Sequence, residues 1–137
     1  MILENIHTPA DVKALDREQL EPLCRELRQF LVEHVSKTGG HLASNLGAVE
    51  LTVAIHRVFD TSKDRLGFDV GHQCYIHKML TGRREEMAGL RQYGGIAGFP
   101  KPGESVHDAF IAGHASNSVA VAVGMVQARA ALGQDYQ

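Results

Sequence analysis

Apolar positions recur at three- and four-residue intervals over most of the first sixty residues, the spacing of helices packed along one face. Leu20, Leu23, Cys24, Leu27, Phe30, Leu31 and Val35 keep that interval, while Glu21, Arg25, Glu26, Arg28 and Glu33 fill the other face. Together they predict one long helix, ended by Gly39-Gly40. Asp16 with Gln19 reads as its capping box, and Thr8-Pro9-Ala10-Asp11 marks the start of a shorter helix before it. After the loop His41-Leu42-Ala43-Ser44-Asn45, a further helix is expected from about Leu46 to Phe59. Its apolar set, Leu46, Val49, Val53, Ile55 and Val58, spreads over much of the circumference and predicts that it is largely buried.

Past the polar turn from Asp60 to Asp64 the pattern changes. Leu66-Gly67-Phe68-Asp69-Val70 is a short, mostly apolar run that stops at Gly71, which suits a buried parallel strand. Gln73 to Thr81 reads as helix, stopped by Gly82. Arg91 to Pro102 is rich in Gly and Pro, but its aromatic and apolar content argues for a functional loop rather than a spacer. Ser116 to Leu132 is the last helix, dominated by Ala, Val and Gly, with Gly133 as its stop. A single strand cannot satisfy its own backbone groups, so a parallel sheet needs more. Val106 to Ala112 is a weak second candidate, and continuation into another strand beyond Gln137 is expected as well.

Composition changes this picture little. The chain has 137 residues, one domain's length, with 14 basic and 16 acidic side chains mixed along it. No basic stripe with interleaved aromatics suggests nucleic acid. No leader pattern and no membrane-length apolar run is present, so a reduced, cytoplasmic setting is the default expectation. Two cysteines, Cys24 and Cys74, make no disulfide framework. Cys24 reads as a small core residue, whereas Cys74 could line a site.

Candidate chemistry gathers at three Gly-His steps, Gly40-His41, Gly71-His72 and Gly113-His114, each at the edge of a regular element. Glycine admits close backbone approach or positive φ, and histidine carries a proton that moves near neutral pH. Asp69-Val70-Gly71-His72-Gln73 reads equally as a ligand loop past a strand end or as a helix-capping turn. Gly113-His114-Ala115-Ser116-Asn117-Ser118 opens a helix whose free N–H groups could take an anion, although a plain cap is the commoner reading of such a pattern. His107 with Asp108 could be a base and its orienter, Glu50 on a buried helix could titrate high, and His77 could point toward or away from His72. His7, His34 and His56 read as surface or helix-face residues. Zinc is disfavoured, since no two histidines stand at i, i+4 around a glutamate.

Taken in order, Gly40-His41-Leu42-Ala43-Ser44-Asn45-Leu46-Gly47, Val49-Glu50-Leu51-Thr52-Val53-Ala54, Asp69-Val70-Gly71-His72-Gln73, Tyr75, His77-Lys78 and Leu80-Thr81-Gly82-Arg83 resemble the 1-deoxy-D-xylulose-5-phosphate synthase family. Gly94-Gly95, Gly98-Phe99-Pro100, Glu104-Ser105, His107-Asp108 and Gly113-His114 continue the likeness over essentially the whole chain, and shorter pieces recur in transketolases.

The resemblance implies an α/β fold: the N-terminal part of a thiamine diphosphate-binding, transketolase-like domain, helix-rich with an incomplete parallel sheet. It implies a transferase that joins pyruvate to D-glyceraldehyde 3-phosphate with loss of carbon dioxide, serving isoprenoid, thiamine and pyridoxal synthesis. By the match, His72 contacts the cofactor and Gly113, His114 and Ala115 lie against it; His41 assists proton transfer, and Arg91 joins the polar network near the acceptor substrate. Many family members carry Ser at the position of Ala115, so a hydroxyl contact is missing here. The family's magnesium is held by a Gly-Asp-Gly stretch and a later asparagine, and its activating glutamate lies in the next domain. Neither occurs in this sequence, so residues 1–137 are expected to be a partial domain, inactive alone, from a homodimeric cytoplasmic parent. A subunit of a split transketolase-like enzyme and a non-catalytic binding module are the alternatives.

Overall fold

The fold is a computed structural model that describes residues 1–111 and 113–137. Its helices are α1 (Pro9–Ala14), α2 (Arg17–Thr38), α3 (Leu42–Leu46), α4 (Val49–Val58), α5 (Tyr75–Lys78) and α6 (Ser118–Leu132). A 3₁₀ turn, Leu3–Asn5, precedes α1, and α5 runs on through a π turn, Met79–Arg83, into a second 3₁₀ turn, Glu85–Gly89.

Both expected caps form. Thr8 and Asp16 stand at the N-termini of α1 and α2 with Asp11 and Gln19 reaching back to them, the latter accepting from Asp16 N–H at 2.8 Å. Gly39 closes α2 at φ +75°. Leu23, Cys24, Leu27, Leu31 and Val35 form the buried stripe of α2. They pack with Val12 of α1, Val49 and Val53 of α4, and the wholly buried run Tyr75, Ile76, Met79 and Leu80. Burial of side chains this size contributes about 1.5–3 kcal/mol each, which makes α2 the spine of the domain.

Three expectations need correction. The helix expected over 46–59 is α4, which starts only at Val49, and the loop expected before it forms the short helix α3, with a turn at Gly47-Ala48 between them. Helix α4 is buried on one face only: Val49, Thr52, Val53 and His56 turn inward, while Leu51 and Val58 are exposed.

The parallel sheet is absent among the described residues, which contain no strand. Residues 65–68 are without regular structure, and Val70 at φ +61° and Gly71 at φ +95° turn the chain out of the extended region just where the strand was expected to run. The neighbour of this stretch is the chain's last residue: Arg65 N–H donates to Gln137 O at 2.9 Å, one bond rather than a ladder. Residues 106–111 form no strand, and Ala112, the end of that candidate, lies outside the described residues.

The third correction concerns the start of α6, which begins at Ser118 rather than Ser116. The helix is capped by Gly133 in the left-handed region as expected, none of its residues is buried, and Val119, Val123, Val126 and Leu132 are exposed. It borders an apolar groove of about 370 Å³ with Phe68, Phe110 and Tyr136. No helix among the described residues is long and apolar enough to cross a membrane.

Candidate active site

His41 follows the end of α2 and caps α3; His72 precedes α5. Two glycines let these segments come close. A Cβ on Gly40 (φ +143°) would stand 2.9 Å from the Tyr75 hydroxyl, and one on Gly71 only 2.4 Å from Pro100 Cδ. With no side chain at either place, the His41 and His72 rings stack at 3.9 Å between centroids, 24° from parallel. Asn45, fully buried, donates from Nδ2 to the carbonyls of both histidines at 2.6 Å. Tyr75 Oη accepts from His41 N–H at 3.3 Å. Among the described residues no hydrogen bond engages either imidazole ring, which leaves their nitrogens to a ligand.

The pair lines a cleft of about 440 Å³ whose opposite wall is the loop 91–104, with Arg91, Gly95, Ala97, Gly98, Lys101 and Glu104 on it. Arg91 starts that loop at φ +61°, and its N–H closes it on Ile96 O at 2.8 Å. Partial desolvation, then the charges of His72 and Arg91, hold His41 below the ordinary imidazole value, which favours its neutral form at pH 7.

A buried ionic network anchors the wall from behind. Glu104 accepts from Ala97 N–H at 2.8 Å and from the wholly buried Lys78 ammonium at 2.5 Å. Arg83 grips Asp108 with both terminal nitrogens, at 2.7 and 2.8 Å, and Lys101 N–H donates to the same carboxylate at 2.8 Å. Burial pushes the Asp108 carboxyl up, but hydrogen bonds from His77, Arg83 and Lys101 outweigh it and hold the group well below the usual range.

Several expected roles fall differently. Asp108 orients His77 rather than His107: His77 Nε2 donates to Asp108 Oδ1 at 2.9 Å, while His107 Nδ1 meets the Thr61 hydroxyl at 2.8 Å. His77 therefore points away from His72 and into the core, where its Nδ1 meets His56 Nε2 at 3.0 Å. His56 is a core residue, not a surface one, and burial pushes it down to about 3. Glu50 is exposed and lowered, not raised, because Arg28 binds both its oxygens. Cys74 is fully buried and pushed up to about 12 by that burial, so it is an inert core thiol.

Gly113, His114 and Ala115 are exposed and do not line the cleft. The helix start beside them is not open to an anion either. Asp69 already fills it, accepting from Ser116 N–H at 2.9 Å, Ser118 N–H at 3.4 Å and Ser118 Oγ at 2.7 Å. Asp69, Asn45 and Tyr75 were missed as site residues. Only their place inside the Gly-His segments could have drawn attention to them.

The cleft thus belongs to a helical domain that presents an imidazole pair on glycine-permitted turns, facing a cationic, glycine-rich wall. Residues 3–137 match the family model described as 1-deoxy-D-xylulose-5-phosphate synthase, and the chain belongs to that family. Proteins of that name from Dechloromonas aromatica and Chromobacterium violaceum are 59% and 60% identical to it, each over 134 residues. One from Caldanaerobacter subterraneus is 55% identical over 135 residues. Each alignment covers 98% of this chain and 22% of the relative, so the chain spans about a fifth of the length of these curated relatives.

Proposed function

We propose that residues 1–137 form part of the thiamine diphosphate-binding domain of an enzyme that condenses pyruvate with D-glyceraldehyde 3-phosphate to 1-deoxy-D-xylulose 5-phosphate and carbon dioxide. Family membership supports this reading, and one observation carries it: His41 and His72, stacked at 3.9 Å, share a cleft with Arg91.

The residues present suit such a ligand on one side. Two free imidazoles, a glycine-rich backbone and the cations Arg91 and Lys101 match a polar, anionic molecule with flat rings. When bound, thiamine diphosphate supplies the carbanion chemistry that joins the two substrates. His72 holds the cofactor through an imidazole nitrogen. His41, kept largely neutral, accepts or returns a proton at its ring nitrogen. Arg91 draws in the anionic group of the acceptor substrate, and the Phe99-Pro100 turn keeps water from the His72 side.

Gly113, His114 and Ala115 are assigned to the cofactor's edge through backbone contacts, with Asp69 tying their segment to the His72 loop. Among the described residues no group of three or more His, Cys, Asp or Glu could hold a metal ion. In this reading magnesium is held by protein outside these residues, in a cytoplasmic homodimer.

A hybrid tests the reading: residues 3–137 replace the matching segment of the Dechloromonas aromatica relative, and product formation is followed with thiamine diphosphate and magnesium. The hybrid is expected to turn over, and His72→Ala to lower its rate by about 10²-fold or more. A folded hybrid whose rate ignores His72 would remove the basis of the proposal.

A further inference from the structure

We propose that Asn45 is a positioning residue for the His41–His72 pair: its carboxamide sets the separation of the two loops and so the contact of the two rings. The inference rests on the reading of that pair as the working part of the cleft, but its test needs no catalysis.

Asn45 lies in α3, a helix of only five residues, and none of its surface reaches solvent. Both its donors and its oxygen are engaged, in three of the four hydrogen bonds a carboxamide can make. Nδ2 donates to His41 O and to His72 O, each at 2.6 Å, and Oδ1 accepts from Tyr75 N–H at 2.8 Å. The amide orientation follows from these partners, since the flipped group would set its oxygen against two carbonyls. Among the described residues no backbone–backbone hydrogen bond joins the His41 loop to the His72 loop. The bridge between them is this side chain, with the Tyr75 hydroxyl beneath His41 N–H as a second support at 3.3 Å.

No isostere reproduces the bridge. Aspartate has the same shape and keeps the acceptor toward Tyr75, but places a carboxylate oxygen against both histidine carbonyls. Alanine and leucine remove the donors to both histidine carbonyls and leave the buried Tyr75 N–H without its acceptor. Because both loops carry left-handed residues, Gly40 on one side, Val70 and Gly71 on the other, neither relaxes to a standard turn that would hold the rings in register unaided. A fixed ring pair also links the two protonations: the charge of His72 acts on His41 at this distance and fades as the loops part.

The experiment is NMR of the chain with labelled histidines, reading the Cε1–H shifts of His41 and His72 and the titration midpoint of His41. In the native chain each ring displaces the other's signal upfield. In Asn45→Asp and Asn45→Ala that displacement is expected to be lost, and the His41 midpoint to rise toward about 6.5. The buried His56 and His77 signals report that the core remains folded. Thr52→Val is the control: Thr52 is as buried and bonds Ala48 O at 2.7 Å, so its loss costs stability without touching the loops. Through-bond couplings from Asn45 Nδ2 to the two carbonyls test the bridge in the unaltered chain, whether or not a variant folds. Absent couplings overturn the proposal. So do folded Asn45 variants with unchanged His41 and His72 signals, or equal changes in Thr52→Val. An inactive hybrid with these signals as expected would count against the enzymatic reading alone.

Discussion

Gly71 decides how closely the His72 loop lies against the opposite wall. A methyl there would stand 2.4 Å from Pro100 Cδ and 3.2 Å from Phe99 Cβ, on a backbone at φ +95°. Gly71→Ala is expected to cost on the order of 1–3 kcal/mol in urea denaturation. Gly113→Ala, with open space at its Cβ and no positive φ, is expected to stay within about 0.5 kcal/mol. In the sequence the three Gly-His steps look alike. What separates them is the residue across the gap, Tyr75 for Gly40 and Pro100 for Gly71, and sequence distance hides it. The cysteines behave more simply. Both thiols are buried, and Cys74 is pushed up to about 12, so neither is expected to be alkylated in the native chain at pH 8, while both react in denaturant. Labelling of native Cys74 would contradict its place in the core.

Among elements, α2 was legible throughout because stripe, caps and stop agree, and of its predicted stripe all but the half-buried Leu20 and Phe30 are buried. The expected strand at 66–70 was not, because an apolar run shows burial but not pairing, and Val70 turns left-handed where the ladder would continue. The stretch from Arg91 to Pro102, which lines the cleft, was legible as more than a spacer from its texture. Its anchor was not: Lys78, Arg83, Glu104 and Asp108 come from separate turns and meet only in three dimensions. Adjacency in sequence misled here, since Asp108 serves His77 rather than its neighbour His107. Lys78→Met would leave Glu104 with Arg83 as its one cationic partner, beside Ala97 N–H, and Glu104→Ala would strand a buried ammonium. The second change is expected to cost about 3–5 kcal/mol by chemical denaturation and to speed hydrogen exchange at Ala97 N–H. Unchanged exchange at Ala97 would show that the network does not anchor the wall. By contrast, Glu50→Gln breaks an exposed pair with Arg28 and is expected to cost under about 1 kcal/mol.

At the scale of the whole molecule the buried histidines set a direction for pH. His56 falls from the ordinary value of 6.5 to about 3 in the folded chain, and burial lowers His77 as well. A group lowered by folding adds stability that is complete above its unfolded value and is lost as pH falls toward the folded one. Stability is therefore expected to decline from about pH 6.5 downward, at up to about 1.4 kcal/mol per pH unit for each proton taken up. Following the denaturation midpoint from pH 7.5 to pH 4 checks this, and His56→Phe is expected to flatten the slope. An equal slope in that variant would assign the acid loss to other groups.

Apart from acid stability, the molecule leaves α6 without a buried residue, and the chain spans about a fifth of the length of its relatives. Whether the proposed thiamine diphosphate site includes the His41–His72 cleft is decided by the hybrid with the Dechloromonas aromatica relative. It is expected to form 1-deoxy-D-xylulose 5-phosphate from pyruvate and D-glyceraldehyde 3-phosphate, with the rate falling by about 10²-fold in His72→Ala. A folded, cofactor-bound hybrid that keeps its full rate in His72→Ala and His41→Ala would contradict the proposal.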